Sequence, residues 1–464
     1  SDKLLYVMAK SVMPAKRLLI YKHKLKSHQV FNYYCRLALL SILGAKVHSI
    51  LTMLTIALGI AACTITLTLV NSMSSNPIAH KSGQLFRVQL DNWDPNQAAI
   101  SPDLPPELVT WTDARNVVQA RQAKRQSASA ITWGMVNPAE QGLTPFLALM
   151  RVTSKDFFPM FDVPFLYGAG WDENAEQNND YVVVLSKETN QRVFHGANSV
   201  GQTLTMLGAT FTVVGVLNDW HLSPKFYDMS YGAFSDPEEM YLPLELKAVF
   251  ELPHGGITSC WKAVESERYD AFMHSECTNF QLWVELDNPQ QKSQFADYLT
   301  QYVQQQKSLG RFPRPLNNRL LNVAQWLEYK QVVKQDVQIM FWLSIMFLLV
   351  CLINAASLLS AKLHTKHSEI GLRRALGANF SQILMQYSLE VVFIGLCGGV
   401  IGIILALVGL QGVASLYAGY GRLIELDIPI ALGVILLAVM GTIIAGLVPV
   451  YTACRPVLAT QLKQ

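Results

Sequence analysis

The sequence predicts an integral membrane protein with four transmembrane α-helices and a large, two-lobed α+β extracytoplasmic domain between the first and second helices. Hydrophobic residues make up 51% of the 464 residues and charged residues only 15%, whereas soluble globular domains carry about 25% charged residues. The apolar residues are concentrated in four long runs. This composition excludes a disordered chain, a secreted disulfide scaffold and a single soluble enzyme domain.

Each apolar run is long enough to cross a bilayer. The predicted spans are residues 48–71, 337–360, 383–410 and 430–451. About 20 helical residues cross a hydrocarbon core of about 30 Å. The third run alone contains a formally charged residue, Glu390.

The orientation follows from the short loops, because cytoplasmic loops carry an excess of Lys and Arg. Residues 1–47 contain nine Lys or Arg and one acid, loop 361–382 contains four and one, and tail 452–464 contains two. The opposite loop, residues 411–429, contains one Arg and two acids. We therefore expect both termini and loop 361–382 in the cytoplasm, and residues 72–336 outside.

Residues 1–47 are predicted to form a cytoplasmic basic tail followed by an interfacial helix. Basic residues near an anionic leaflet favour this location. A disordered tail is the alternative, and no cleavable signal peptide is evident. Within residues 30–47, apolar residues recur at helical spacing. They are Phe31, Tyr34, Leu37, Leu40 and Leu43.

The segment between the first two spans has alternating strand and helix patterns, which are typical of an α+β domain. The predicted strands are residues 85–90, 181–185, 210–217 and 281–286, and the predicted helices are residues 186–194, 291–308 and 321–335. The first and last of these strands alternate as half-buried strands do. We expect one β-rich lobe around residues 150–220 and a second lobe from the flanking segments. The last helix is predicted to run straight into the second span.

Two of the seven cysteines, Cys260 and Cys277, lie outside the membrane in this topology. Two cysteines in an oxidising compartment favour a disulfide. The bond would lie in residues 221–279, which are poor in apolar pattern, and would add about 3 kcal/mol of stability. Two separately buried thiols are the alternative.

Motifs for nucleotide binding and catalysis are absent from the sequence. There is no G-x-x-x-x-G-K-[ST] loop, no H-E-x-x-H, no G-x-S-x-G and no C-x-x-C. We therefore expect no catalytic residue, metal site or bound cofactor in the chain itself, and no nucleic-acid partner.

The cytoplasmic loop contains a short segment with the pattern of an amphipathic helix. Its residues are Ser368, Glu369, Ile370, Gly371, Leu372, Arg373, Arg374, Ala375, Leu376 and Gly377. Ser368 would cap its start and Gly377 would end it. The arginines would be exposed, while the isoleucine and both leucines would turn to a partner or the membrane. The alternative is a membrane-hugging turn in a loop that is basic because it is cytoplasmic.

The third span has two further features. An intramembrane acid is costly and usually faces a bundle interior, so Glu390 is predicted to make a buried polar contact that fixes helix packing. Snorkelling to the interface and a proton relay are the alternatives. Small residues on the same helix would permit close approach of a neighbouring helix. These residues are Gly395, Gly398, Gly399 and Gly402.

Several stretches together resemble the MacB/FtsX-type permease family, the membrane subunits of a class of ABC transporters. Residues 369–378 (EIGLRRALGA) are similar to the family's cytoplasmic signature. The other similar stretches are residues 49–54, residues 152–170, 182–188 and 200–216 of the periplasmic core domain, and residues 448–463. The resemblance covers most of residues 35–464, with all four spans in order.

This resemblance implies a dimer of four-span subunits in a bacterial inner membrane, formed with a second permease copy. A cytoplasmic ABC ATPase dimer would dock on the coupling helix in loop 361–382 and would itself bind ATP and Mg²⁺. Because 47 residues precede the first span, we expect the ATPase to be a separate chain. In MacB-type exporters the outer domain meets a periplasmic adaptor and, through it, an outer-membrane channel. Residues 221–279 look like an insertion in the family domain.

The function that the resemblance implies is ATP-driven export, by mechanical transmission, of peptides or hydrophobic antibiotics. Two alternatives remain at this point. One is a transmembrane signal relay that regulates a periplasmic hydrolase. The other is a lipoprotein-releasing permease, which would need an outer cavity suited to acyl chains.

Overall fold

The computed structural model describes residues 33–138, 143–332, 335–366, 369–372, 376–416 and 428–454. The chain divides into two compact units. One unit falls within Ser1–Ser72 and Lys334–Gln464 and is a bundle of helices, and the other is Met73–Val333, an α+β domain.

The helices and strands alternate irregularly along the chain. The helices are α1 (Tyr33–Gly44), α2 (Lys46–Ser74), α3 (Trp111–Ala120), α4 (Phe157–Met160), α5 (Glu173–Asn178), α6 (Lys187–Phe194), α7 (Leu246–Val249), α8 (Tyr269–Met273), α9 (Pro289–Ser308), α10 (Val323–Tyr329), α11 (Gln335–His364), α12 (Phe380–Leu416) and α13 (Ile428–Cys454). The strands are β1 (Leu85–Gln89), β2 (Val109–Thr110), β3 (Arg125–Asn137), β4 (Phe146–Thr153), β5 (Phe165–Gly168), β6 (Val182–Leu185), β7 (Thr203–Met206), β8 (Ala209–Leu217), β9 (Met240–Pro243), β10 (Thr278–Glu285) and β11 (Arg319–Asn322).

Among the described residues, four helices are long and apolar enough to cross a membrane: α2, α11, α12 and α13. Each predicted span lies inside one of them, and each helix extends beyond its span at both ends. The reason is that an apolar run marks only the hydrocarbon layer, whereas helical hydrogen bonding continues into the interfacial residues.

The short helix α1 lies within the predicted interfacial segment. It buries Ala38 and Ser41 and leaves the apolar side chains of Leu40 and Leu43 exposed. Exposed leucines next to a membrane-spanning helix suit a position at the membrane surface. Phe31, which the sequence placed on the same face, lies outside the described residues.

The domain is built on one sheet of eleven strands. The strand order is β11-β1-β10-β3-β4-β9-β6-β8-β5, with β2 paired to β10 and β7 paired to both β3 and β8. The strands of the predicted lobe around residues 150–220 occupy one half of this path, together with β9. The strands from the flanking segments occupy the other half, so the two groups share one sheet.

Residues 85–90 and 281–286 were correctly predicted as strands, corresponding to β1 and β10, but the prediction that they are half-buried was wrong. Every residue of β1 and β10 is buried. The polar residues that created the alternating pattern include Arg87, which lies between the rings of Trp283 and Trp326 at 5.7 and 5.0 Å from their centroids. Aromatic faces stabilise a buried cation. Arg87 is therefore buried, although an arginine in an alternating strand pattern was expected to face solvent.

Residues 221–279, which are poor in apolar pattern, contribute a strand to the interior of the sheet. Strand β9 from this segment lies between β4, to which it is parallel, and β6. The segment is also held by buried charges. The guanidinium of Arg151 in β4 lies 2.7 Å from carboxylate oxygens of both Asp228 and Glu238, and Lys225 lies 2.7 Å from Glu238. Charged side chains at buried positions conceal the apolar pattern.

The expected continuous helix over residues 321–335 is not present. Residues 319–322 form strand β11, and α10 then begins with a capping box formed by Asn322 and Gln325. The helix ends at Tyr329, and Gln331 has a left-handed backbone with φ of 46°. This conformation interrupts an α-helix, and α11 starts anew at Gln335.

The buried charges predict a strong effect of the substitution Glu238→Gln. Burial raises the pKa of Glu238, but Arg151 and Lys225 outweigh burial and hold this pKa well below its usual range. Removing the negative charge leaves Lys225 buried without a carboxylate partner. We expect the free energy of unfolding of the domain to fall by about 3 kcal/mol, measured by denaturant unfolding with tryptophan fluorescence.

The matched control for this substitution is Glu267→Gln, which changes an exposed glutamate and should alter the stability by less than about 0.5 kcal/mol. Equal effects of the two substitutions would contradict the anchoring role of Glu238.

Candidate coupling site at one end of the helix bundle

Glu390 makes a buried ion pair inside the helix bundle. Its carboxylate contacts the ammonium of Lys362, and each of these side chains is only 3% exposed. Lys362 also donates a hydrogen bond of 2.8 Å to Oγ of Ser49. One ammonium group therefore joins α11 to α12 and α2, and Glu390 faces the bundle interior rather than snorkelling to the interface.

The ion pair lies near the helix ends that lead to the predicted cytoplasmic segments. Ser49 is in the first turn of α2, and Lys362 is in the last turn of α11. Just beyond α11, Lys366 donates a hydrogen bond of 2.5 Å to Oγ of Ser41 in α1. Two lysines thus connect four helices at this end of the bundle.

The ion pair is electrostatically incomplete on one side. Oε2 of Glu390 is buried and has no hydrogen-bond partner among the described residues. Burying two charges costs desolvation free energy. Their mutual attraction offsets this cost only when both groups are well aligned and their remaining hydrogen bonds are made. We therefore interpret the pair as fixing helix register more than adding stability.

The apolar side chain of Ile370 attaches the loop after α11 to the bundle. Residues 369–372 are helical, and the N–H of Ile370 donates a hydrogen bond of 3.0 Å to the carbonyl of Lys366. Ile370 is buried in an apolar cluster with Leu363, Ile383 and Tyr387. The start of the predicted coupling helix is therefore packed on α11 and α12.

Two leucines of this loop are unusually exposed. Leu372 is 63% exposed and Leu376 is 80% exposed. The N–H of Leu376 donates a hydrogen bond of 3.0 Å to the carbonyl of Leu372, so the two residues are one helical turn apart on the same side. Gly377 has φ of 95°, as expected for a glycine that ends a helix.

The predicted coupling helix is corrected in one respect. The sequence turned Ile370, Leu372 and Leu376 to one side, but the isoleucine packs on the bundle and the leucines face away from it. Successive helical residues differ by about 100°, so residues two positions apart point in nearly opposite directions. Glu369 is exposed and Gly371 is half-buried. Ser368, Arg373, Arg374 and Ala375 lie outside the described residues.

The four predicted glycines of α12 face two different helices. A Cβ atom on Gly398 would lie 3.0 Å from Cγ2 of Ile56, and one on Gly402 would lie 2.8 Å from Cγ2 of Ile60, both in α2. The other two glycines face α13. A Cβ atom on Gly395 would lie 3.2 Å from the side chain of Thr442, and one on Gly399 would lie 3.7 Å from the side chain of Ile435.

Sequence reasoning missed the partners of Glu390. Lys362 was counted as a charge of the cytoplasmic loop, and this was wrong because it is buried in α11. A lysine at the end of an apolar run looks the same whether it faces water or a buried acid. Ser49 and Ser41 gave no signal, since serines are common in membrane helices.

Cys260 and Cys277 form a disulfide, with their Cα atoms 4.2 Å apart. Next to it, Ser259 and Thr278 exchange two backbone hydrogen bonds of 2.8 and 3.1 Å. The bond therefore ties Cys260, inside segment 221–279, to Cys277, which directly precedes β10. Among the described residues, no group of three His, Cys, Asp or Glu side chains could hold a metal ion.

Comparison with known families gives two matches to this chain. The family described as MacB-like periplasmic core domain matches residues 49–302, which is more than half of the chain. The family described as FtsX-like permease C-terminal matches residues 341–458.

Similar proteins include two curated relatives. The uncharacterized ABC transporter permease YvrN of Bacillus subtilis is 22% identical over 445 residues, which are 91% of this chain and 97% of that protein. The pyoverdine export ATP-binding/permease protein PvdT of Pseudomonas syringae is 24% identical over 301 residues, which are 64% of this chain. The match spans only 40% of the length of PvdT.

Among solved structures, the periplasmic region of MacB from Actinobacillus actinomycetemcomitans is similar to this chain at 14% identity. The match covers 56% of this chain and 96% of that structure, with a TM-score of 0.33.

The glycine contacts predict that Gly402→Ala destabilises the bundle. The added methyl group would meet Ile60 and the carbonyl oxygen of Ala57, which lies 3.0 Å from it, so α2 and α12 must move apart. The matched control is Gly412→Ala in the same helix, where no atom lies within 4 Å of the new Cβ. We expect a lower thermal unfolding temperature in detergent for the first variant and an unchanged or higher one for the second. Equal unfolding temperatures would contradict the assigned contact.

The ion pair predicts non-additive effects of Lys362→Met and Glu390→Gln. Each single substitution leaves the other polar group buried without its partner and should destabilise the bundle. The double variant should lose less than the sum of the single losses, by at least about 1 kcal/mol. The measurement is a double-mutant cycle of unfolding in detergent, and strictly additive losses would show that the two side chains do not interact.

Proposed function

Since the chain belongs to the MacB/FtsX family of ABC transporter permeases, we propose that it is the permease subunit of an ATP-driven exporter. The ATPase would be a separate cytoplasmic dimer, and ATP and Mg²⁺ would bind there. The permease would convert nucleotide-dependent closure of that dimer into movement of its own helices. The observation that carries this proposal is the exposed pair Leu372 and Leu376 on a loop that is anchored to the bundle.

The loop has the properties of a docking element. Exposed apolar side chains that are held in one orientation are typical of a protein interface. Leu372 and Leu376 lie one turn apart, and the sequence places Arg373 and Arg374 between them. An apolar pair with two arginines between its members suits a partner cleft that has an apolar floor and an acidic rim.

Movement of this loop can reach the helices through the contacts that hold it. Ile370 packs on residues of α11 and α12, and Lys366 is bonded to Ser41 of α1. The Lys362–Glu390 pair then couples α11 to α12. A displacement of the leucines would therefore move the ends of several helices together. The chain of α2 continues directly into the domain that starts at Met73, which gives motion a covalent route outward.

The protein would lie in a bacterial inner membrane with cytoplasmic termini, paired with a second permease copy. A periplasmic adaptor and an outer-membrane channel would complete the export path. Substrates would be peptides or hydrophobic antibiotics. The similar protein PvdT is a pyoverdine export protein by name, which supports outward transport as the direction.

The substitution pair Leu372→Glu/Leu376→Glu tests the docking element. Both side chains are exposed, so folding and membrane insertion should be unaffected, whereas an apolar cleft on the ATPase would reject two carboxylates. We expect stimulation of the co-purifying ATPase by the reconstituted permease to fall at least tenfold. Arg373→Glu/Arg374→Glu should have the same direction of effect.

The matched control is Leu309→Glu, which alters an equally exposed leucine of the outer domain and should leave the stimulation unchanged. Unchanged stimulation in the loop variants would rule out the coupling role. ATP hydrolysis by the purified permease alone would contradict the assignment of the ATPase to a separate chain.

A further inference from the structure

The α+β domain contains a polar cavity of about 460 Å³. Its walls come from α3 and the turn that follows it, from α5, and from residues that follow β4 and β9. The volume lies within the range of sites that bind small molecules, about 300–1,000 Å³. Neither the coupling loop nor the ion pair of the bundle uses this cavity.

One wall of the cavity presents acceptors that lack strong donors. Oδ1 of Asn179 is buried and accepts no hydrogen bond from the described residues. Nearby on α5, Oε1 of Glu176 accepts a hydrogen bond of 2.8 Å from the N–H of Lys155. No basic side chain in the described part of the chain forms an ion pair with Glu176. Burial raises the pKa of its carboxyl group by more than the attraction of Lys155 and Arg121 lowers it. A half-buried carboxylate and an unpaired amide oxygen three residues apart favour a cationic N–H donor.

Two arginines that line the cavity present donors. Arg115 in α3 uses Nε to bind Glu245 at 2.8 Å, and Arg121 uses Nη2 to bind Glu173 on α5. Within the described residues, each guanidinium uses only that one nitrogen for a hydrogen bond. The other N–H groups are therefore available to an anion, and both side chains are exposed enough to reorient.

The charges of the cavity balance, which limits the class of ligand. Its lining contains four basic and four acidic side chains. A polyanion or a polycation would be attracted by the lining charges of one sign and repelled by those of the other. An apolar ligand would leave the charged lining without water or partners. A ligand with one positive and one negative group can pair with charges of both signs.

We propose that this cavity binds a small zwitterion of peptide size. Its ammonium group would donate to Glu176 and to Oδ1 of Asn179, and its carboxylate would accept from Arg115 and Arg121. This inference goes beyond the proposed function and does not depend on ATPase coupling, because the cavity lies wholly within the outer domain.

Isothermal titration calorimetry of the full chain in detergent tests the proposal with triglycine as the probe. Two analogues separate the contributions of the charged ends: N-acetyltriglycine lacks the ammonium group, and triglycinamide lacks the carboxylate. We expect saturable binding of triglycine and at least tenfold weaker binding of each analogue, since each has lost one charge-assisted interaction.

Two substitutions test the acceptor wall. Asn179→Gly removes the unpaired oxygen and suits the left-handed backbone of this residue, with φ of 56°, so the fold should be kept. Glu176→Gln keeps an oxygen that can accept from the N–H of Lys155. We expect triglycine to bind about fivefold more weakly to the first variant and at least tenfold more weakly to the second.

The control is Glu267→Gln, which changes an exposed glutamate that does not line the cavity. It should bind triglycine as the unaltered chain does. Absence of saturable triglycine binding would overturn the proposal. So would equal binding of N-acetyltriglycine, or unchanged affinity in both cavity variants when their unfolding temperatures are unchanged.

Discussion

The helix bundle depends on one constraint, which is that a charge buried among apolar helices must have its partner in place. Lys362 and Glu390 form an ion pair inside the bundle, where each side chain is only 3% exposed. Neither side chain can turn toward the surrounding lipid without a large cost. The pair therefore fixes the register of α11 against α12, and the bond to Ser49 extends this constraint to α2. The glycines of α12 serve the same arrangement, because a larger residue at position 402 would separate α12 from α2.

In the outer domain, as in the helix bundle, buried charges are paired with each other. Arg151 on a central strand is fully buried and is neutralised by Asp228 and Glu238 from a distant segment. This pairing holds residues with little apolar pattern against the sheet, and β9 then completes the sheet between β4 and β6. Buried ionic groups are weak evidence for stability but specify which arrangement is allowed. In both units, paired charges fix the position of segments against their neighbours, which the hydrophobic pattern of the sequence alone would not determine.

The sequence predicted those elements whose signal has a single physical meaning. Apolar runs of 20 or more residues predicted the four spans, and runs such as residues 182–185 predicted strands. A helix was predicted over residues 186–194, and in the structure Ser186 caps α6, because its side chain accepts a hydrogen bond from the N–H of Thr189. Prediction failed where a partner distant in sequence decides the outcome. Arg87 looked solvent-facing because its aromatic partners lie far along the chain, and Lys362 looked like a loop charge because Glu390 lies on another helix.

At the candidate site, the sequence pattern of loop 361–382 predicted a helix but not its orientation. Helical spacing identified the segment but could not say which apolar residue packs on the bundle and which is exposed. Packing decides this, since the cluster around Ile383 and Tyr387 accepts Ile370 and leaves Leu372 exposed. The two residues are separated by one glycine, so the anchor and the exposed surface belong to the same helical turn. A force applied to Leu372 must therefore act on Ile370 directly, because only Gly371 separates them.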